Sequence, residues 1–161
     1  MQQKKTVFCP MSDFSSTPVL IIGYGNTLRG DDGVGVRIAE TIAQQQWPGV
    51  RSLICHQLTP ELASDLAKAK GVIFVDAFPS DESMIQIQSL YPVEMRQNLG
   101  HTEDPRTLLS LSQVLYGCCP PAWWVLIPGS HFEFGEQLSP VTKNCVQEAI
   151  NLIQELIGSI V

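Results

Sequence analysis

The sequence predicts an α/β fold: a three-layer αβα sandwich with a mostly parallel five-stranded sheet and one antiparallel edge strand. Short runs of apolar and β-branched residues alternate with longer segments in which apolar residues recur at helical spacing. Turns made of Gly, Pro and Asp separate these runs, as expected for strands joined by crossover helices. The predicted strands cover residues 19–23, 50–56, 72–76, 84–90 and 122–127.

The fourth predicted strand breaks the alternation of strand and helix. Only a short turn around Pro79-Ser80-Asp81 separates it from the third strand. A parallel connection needs about a dozen residues or more, so we expect this strand to be antiparallel and to lie at an edge of the sheet.

The predicted helices begin at capping or proline residues and end at or near glycines. They cover residues 33–46, 59–70, 104–116 and 139–157. We expect the buried stripe of the third helix to include Leu108, Leu111 and Leu115. We expect Gly158 to end the fourth helix.

Composition limits the classes of function. The 161 residues carry a net charge of −6 without a cluster of Lys or Arg, which leaves no electrostatic footprint for nucleic acid or an anionic membrane. No apolar run approaches the ~20 residues of a membrane helix, and the polar N-terminal segment is unlike a signal peptide. The five cysteines are odd in number and form no C-x-x-C motif, so we expect no disulfide framework. We predict a cytoplasmic protein with a flexible tail at residues 1–17 and a single α/β domain at residues 18–161.

The first strand ends in Gly23-Tyr24-Gly25, and either a tight turn or a closely approaching ligand would require these glycines. A dinucleotide-binding fingerprint needs a further glycine where this chain has Leu28. The second strand ends at His56 and not at an acidic residue, and no Gly-Lys-Ser/Thr follows the glycine loop. A bound nucleotide is therefore not expected.

Three polar side chains stand where predicted strands end or helices begin. Asp32 follows Asp31 just before the first helix, Asp76 ends the third strand, and His101 lies in the irregular segment before the third helix. Two carboxylates and one imidazole with an open fourth position form a catalytic metal pattern that suits zinc, nickel or iron(II). Structural roles remain open, because either neighbouring Asp can cap the helix, Asp76 can cap a loop, and a loop histidine is often only solvated.

Three motifs follow one another in the chain: GYGNTLRGDDGVGVR at residues 23–37, VIFVDAF at residues 72–78, and Gly100-His101. The first is the most specific, since it combines glycines, an asparagine, paired acids and a Gly-Val-Gly opening at one spacing. With the βα pattern between them, residues 19–157 resemble the hydrogenase maturation proteases. These endopeptidases trim the C-terminus of the nickel–iron hydrogenase large subunit.

The resemblance implies that Asp32, Asp76 and His101 are both the metal-contacting and the catalytic residues. It implies an endopeptidase with no permanently bound cofactor, because nickel already inserted in the precursor serves as the recognition signal. It also implies that the chain acts on the large-subunit precursor. We expect the chain to be a monomer. The loop residues expected to contact the substrate are Gly25, Asn26 and Asp31.

The resemblance has one departure and one finer indication. Relatives often carry an Asp-Gly-Gly-Thr-like stretch after the second strand, where this chain has His56-Gln57-Leu58-Thr59, so a role of that loop in gripping the substrate does not carry over. Residues 100–121 and 128–140 are similar to the branch that serves the soluble, bidirectional, NAD-linked hydrogenase.

A second hypothesis keeps the same ligands but not the hydrolysis. The chain would then be a nickel-handling or chaperone-like module for the immature large subunit. Three hard-to-borderline ligands without a cluster of Cys or His make a poor storage site, which disfavours this alternative.

Overall fold

The computed structural model describes residues 18–94 and 103–160. The strands are β1 (Val19–Tyr24), β2 (Val50–Cys55), β3 (Gly71–Pro79), β4 (Gln86–Leu90) and β5 (Ala122–Gly129). The helices are α1 (Val34–Gln45), α2 (Leu62–Ala67), α3 (Pro105–Tyr116) and α4 (Pro140–Ile160), and a 3-10 turn at Gly30–Gly33 leads into α1. The predicted tail at residues 1–17 and the candidate residue His101 lie outside the described residues.

The five strands form one sheet in the order β2-β1-β3-β5-β4. Neighbouring strands are parallel except at the edge, where β4 pairs antiparallel with β5. The predicted fold class is therefore confirmed, including the antiparallel edge strand.

A separate hydrophobic cluster fills the space between the sheet and the helices on each face. Helices α1 and α4 cover one face, where Ile38 and Ile153 belong to the same cluster as Ile73 of β3. Helices α2 and α3 cover the other face, where Leu66 and Leu108 belong to the second cluster. The first five residues of β3 are all buried because both faces of this strand are covered, which explains its unbroken apolar run.

The buried face of α3 differs from the predicted stripe. Leu108 is fully buried as expected, but Leu115 is 59% exposed, so its predicted place in the core is wrong. Two serines, Ser110 and Ser112, are buried on this helix instead. They are accommodated because their hydroxyls are hydrogen-bonded, that of Ser112 to the Cys118 carbonyl at 2.7 Å.

Two helix boundaries also differ from prediction. Helix α4 continues through Gly158 to Ile160, because this glycine does not adopt the left-handed conformation that ends helices. Helix α2 is shorter than predicted because residues 59–64 form successive i→i+3 turns before the α-helical bonds begin. Within the described ranges, no helix combines the length and apolar character that spanning a bilayer requires.

One cysteine departs from expectation. Cys118 is disulfide-bonded, although no disulfide framework was predicted. Cys55, Cys119 and Cys145 are free.

Two glycines allow the start of α1 to lie directly against the sheet. A Cβ atom on Gly23 of β1 would overlap the carbonyl oxygen of Gly35, in the first turn of α1. A Cβ atom on Gly35 would in turn overlap the carbonyl oxygen of Val75, in β3. Backbone therefore packs on backbone at this point, and the turn that precedes α1 is brought to the ends of β1 and β3.

We predict that Gly35→Ala lowers the free energy of unfolding by about 3 kcal/mol, because the added methyl group must displace the backbone of β3. Urea unfolding monitored by circular dichroism measures this loss. Gly158→Ala is the matched control, since nothing lies within 4 Å of its Cβ position. Alanine there should raise the free energy of unfolding by roughly 0.5–1 kcal/mol. Equal effects of the two substitutions would contradict the proposed close contact.

Candidate active site

A cleft opens at the carboxyl edge of the sheet, where β1 and β3 end side by side. This is the topological switch point, because the chain leaves β1 for β2 on one side and later enters β3 on the other. The cleft has a volume of about 250 Å³. Its lining residues are Tyr24, Gly25, Asn26, Asp32, His56, Gln57, Leu58, Asp76 and Glu103.

The loop after β1 positions the carboxylate of Asp32. The backbone N–H of Asn26 donates to Asp32 Oδ2 at 2.7 Å, and the Asn26 side chain accepts from the N–H of Leu28 at 2.9 Å. Gly25 has a φ of +139°, and a Cβ atom at this position would overlap the Asp32 carbonyl oxygen. Gly25 and Asn26, predicted as substrate-contacting residues, thus line the cleft and also fix Asp32 in it.

Asp76 reaches the same cleft from the other strand. The register pairs Gly23 with Val75, so Tyr24 and Asp76 are the next residues along neighbouring strands and their side chains lie on the same face. The Tyr24 hydroxyl is hydrogen-bonded to the Asp76 carboxylate. Trp124 Nε1 donates to the Tyr24 hydroxyl oxygen at 3.1 Å. A chain of polar contacts therefore supports Asp76 from inside the protein.

The environment of Asp76 raises its pKa to about 7. Burial is the largest cause, and the negative charge of Asp32 adds to it. Hydrogen bonds from the Ala77 N–H, at 2.8 Å, and from Tyr24 oppose the rise without cancelling it. Burial likewise raises the pKa of Tyr24, and neighbouring Asp76 raises it further, so this tyrosine keeps its proton.

The paired carboxylates suit proton transfer to or from a molecule in the cleft. A carboxyl group with a pKa near 7 exchanges its proton easily at neutral pH, which general acid–base catalysis requires. A strongly perturbed carboxyl group beside a second carboxylate in an open cleft is also typical of a functional site.

Asp31 has a different environment from its neighbour Asp32. It is fully buried and does not line the cleft, so the structure does not place it where the predicted substrate contact would need it. Its carboxylate accepts hydrogen bonds from the N–H groups of Ser130, His131 and Ser139 at 2.9, 3.0 and 2.7 Å, and from the Ser139 hydroxyl at 2.7 Å. Asp31 therefore ties residues 130–139 to the turn before α1.

The metal pattern predicted from the sequence is represented in part. Asp32 and Asp76 share the cleft, but the third predicted donor, His101, lies outside the described residues. Residues 18–94 and 103–160 contain no group of three His, Cys, Asp or Glu side chains that could hold a metal ion. The two carboxylates offer oxygen ligands and need a further donor to bind one.

The cleft also contains residues that the sequence analysis did not select. His56 and Gln57 directly follow β2, and Glu103 directly precedes the N-cap of α3. For His56 and Gln57 a usable signal existed, because residues that follow parallel strands collect at one edge of the sheet. Trp124 had no such signal, since its contact with Tyr24 spans 100 positions along the chain.

Comparisons with known proteins show which fold this is. No protein-family model and no curated protein sequence matches the chain. The hydrogenase maturating endopeptidase HybD from E. coli is similar with a TM-score of 0.73 and 22% identity, over 89% of this chain and 93% of that chain. The NiFe hydrogenase maturation protease HybD from Thermococcus kodakarensis is similar with a TM-score of 0.68 and 22% identity, over 87% of this chain and 99% of that chain. The NiFe hydrogenase maturation protease HycI from T. kodakarensis KOD1 is similar with a TM-score of 0.65 and 23% identity, over 89% of this chain and 94% of that chain. The chain thus has the fold that these hydrogenase maturation proteases share.

We predict that Asp31→Asn lowers the free energy of unfolding at pH 7 by roughly 3 kcal/mol, because an amide cannot accept all four hydrogen bonds. Burial, the largest single influence, opposes ionisation, but the four bonds together outweigh it and lower the pKa of Asp31 below 3.8. The stabilisation is therefore complete above pH 4 and is lost as the pH falls through the folded-state pKa. Urea unfolding at pH 7 and pH 2.5 should show the difference between wild type and variant shrinking in acid. Asp81→Asn, at an exposed carboxylate, should change the stability by less than about 0.5 kcal/mol.

We predict the opposite pH dependence for Asp76→Asn. The folded-state pKa of about 7 lies above the ordinary value of 3.8, so the contribution of Asp76 is fully present below pH 3.8 and is lost as the pH rises through 7. The neutral amide should raise the free energy of unfolding at pH 8 by about 2–4 kcal/mol and leave it nearly unchanged at pH 3.5. Glu103→Gln, at an exposed carboxylate of the same cleft, is the control. A stability difference that does not vary with pH would exclude the raised pKa.

Proposed function

We propose that the chain is an endopeptidase that removes the C-terminal extension of the nickel-loaded precursor of a nickel–iron hydrogenase large subunit. The observation that carries this proposal is the meeting of Asp32 and Asp76 in one open cleft, in a fold shared with hydrogenase maturation proteases. The sequence motifs around both residues support the same function.

In this proposal Asp76 is the general base. It takes a proton from a water molecule, and the water oxygen bonds to the scissile carbonyl carbon. The protonated Asp76 then gives its proton to the departing amine nitrogen, so that the peptide C–N bond breaks and the carboxylate is restored. In the protein without the precursor, the charge of Asp32 and the burial of Asp76 make Asp76 hold a proton more strongly than an ordinary carboxylate does, which supports this role.

Recognition of the substrate would use nickel that the precursor already carries. Asp32, Asp76 and His101 would contact this nickel with oxygen and nitrogen ligands, while thiolates of the precursor hold it from the other side. The protein itself would need no permanently bound cofactor and would act as a monomer. The similarity of residues 100–121 and 128–140 to one branch of the family favours the bidirectional, NAD-linked hydrogenase as the source of the precursor.

We predict that incubation with this protein shortens the nickel-loaded precursor by a C-terminal peptide and leaves the nickel-free precursor intact. Intact-mass spectrometry of the two precursor forms, run side by side, measures this. Asp32→Ala, Asp76→Ala and His101→Ala should each slow the cleavage by roughly 100-fold or more. Asp81→Ala, an exposed acidic residue outside the cleft, should cleave at the wild-type rate.

The remaining outcomes distinguish the alternatives. Cleavage of both precursor forms would retain the protease and remove nickel as the recognition signal. A stable complex with the precursor, together with stoichiometric nickel binding and no change of mass, would favour the nickel-handling or chaperone-like module. Normal cleavage by the Asp32 and Asp76 variants would show that the site is wrongly assigned.

A further inference from the structure

Two loops at the carboxyl edge of the sheet are joined by backbone hydrogen bonds. The N–H of Gly135 donates to the Leu28 carbonyl at 2.8 Å, and the N–H of Gly30 donates to the Gly135 carbonyl at 2.7 Å. The N–H of Asp31 donates to the His131 carbonyl at 2.8 Å. Together with the bonds that the Asp31 carboxylate accepts, these contacts hold residues 130–139 against residues 28–31.

This well-anchored pair of loops presents two apolar side chains to solvent. Phe134 is 86% exposed and Leu28 is 45% exposed. Their backbones are close in space, because the Leu28 carbonyl accepts a hydrogen bond from the N–H of Gly135, the residue after Phe134. The ring of Phe132, in the same segment, lies against Gly129 instead. We call Leu28 and Phe134 the apolar lip.

Because its backbone is anchored, the solvent exposure of the lip is a fixed feature of the surface. A large aromatic side chain on a mobile loop needs no explanation, but here the backbone on both sides is hydrogen-bonded to the rest of the domain. A fixed, exposed aromatic residue is a typical anchor of a protein interface, because it brings a large contact area with little loss of conformational freedom.

The apolar lip adjoins a loop that lines the cleft. Asn26 lines the cleft, and its side chain accepts a hydrogen bond from the N–H of Leu28. Asp31, which anchors the loop of Phe134, directly precedes Asp32 in the cleft. The lip and Asp32 therefore belong to the same short stretch of chain, residues 26–32, and to the loop that this stretch holds in place.

We infer that the apolar lip is the docking surface for the body of the protein substrate whose C-terminal extension enters the cleft. This inference rests on the proposed function and names the surface that recognises the precursor. Two acidic residues, Glu133 and Glu136, flank Phe134 in sequence and are exposed. Arg29, which directly follows Leu28, is exposed as well, so the complementary patch on the precursor is an apolar depression with charged residues of both signs at its rim.

The test measures binding separately from cleavage. The large-subunit precursor, with nickel and its C-terminal extension, is immobilised, and its affinity for the protein is measured by interferometry. The parent for this comparison is Asp76→Asn, and all lip variants carry this substitution as well, so that cleavage does not interfere with the binding measurement. Cleavage by the wild-type chain is followed in parallel by intact mass. Phe134→Ser should weaken binding by about tenfold or more, and Leu28→Ser should weaken it to a smaller extent.

The matched control is Leu115→Ser, at an exposed leucine near the C-terminal end of α3. The N-terminal end of α3 faces the cleft, so Leu115 lies at the far end of this helix, about 15 Å along its axis. Its substitution should change the affinity by less than about twofold, which is the usual effect of a surface change outside an interface. The thermal midpoints of the lip variants should equal that of the parent, since the side chains removed are exposed.

The possible results separate the lip from the protease. If the wild type cleaves the precursor but the lip variants bind it with unchanged affinity, the lip is not the docking surface, whereas the proposed endopeptidase activity is retained. If the lip variants lose binding although the wild type cleaves nothing, the lip is confirmed as the docking surface and the proposed endopeptidase activity is wrong. If the precursor neither binds nor is cleaved, both proposals fail. If the lip substitutions leave the affinity for the precursor unchanged but alter the sedimentation of the protein without precursor, the lip joins two copies of this chain and the docking proposal is wrong.

Discussion

The contact of backbone with backbone between α1 and the sheet is the constraint on which the candidate site depends. Gly23 and Gly35 remove the side chains that would hold the helix away from β1 and β3. As a result, the turn before α1 lies at the ends of both strands, and Asp32 comes near enough for its charge to raise the pKa of Asp76. Gly35, the second glycine of the Gly-Val-Gly opening, therefore acts on the chemistry of the cleft, although it does not line that cleft.

The neighbouring acids Asp31 and Asp32 divide two tasks between them. Four hydrogen-bond donors saturate the buried carboxylate of Asp31, which makes it an anchor for residues 130–139. Asp32 is only partly buried, accepts one backbone N–H and faces the cleft. The anchor also fixes the loop that carries Phe134, so a single turn connects the candidate chemistry with the surface proposed to recognise the substrate.

Asp76 shows how a candidate catalytic residue can lower the stability of the fold. Its burial and its acidic neighbour disfavour the ionised form, and two hydrogen bonds recover only part of that loss. A protein selected for stability alone would place a neutral residue here. The retained carboxyl group is therefore consistent with selection for proton transfer near neutral pH.

The local sequence determined the kind and order of the elements, because hydrophobic period and capping act over a few residues. Asp104 caps α3 through the N–H of Arg106 at 2.9 Å, and Gly117 ends that helix with a φ of 69°. The shortness of the turn after β3 was enough to predict an antiparallel edge strand. The same local rules failed at two positions. Gly158 does not end α4, and Leu115 is exposed, because a glycine does not by itself end a helix and helical spacing does not determine which other elements pack against a face.

The site itself was only half determined by the sequence. Position at strand ends and the family resemblance selected Asp32 and Asp76, since residues after parallel strands must gather at one edge. Only the tertiary structure decided that Asp31 is an anchor and Asp32 faces the cleft, because the donors that separate them lie 99 to 108 positions away. It likewise decided the pKa of Asp76, because burial and a charge from another element exist only once the chain has folded.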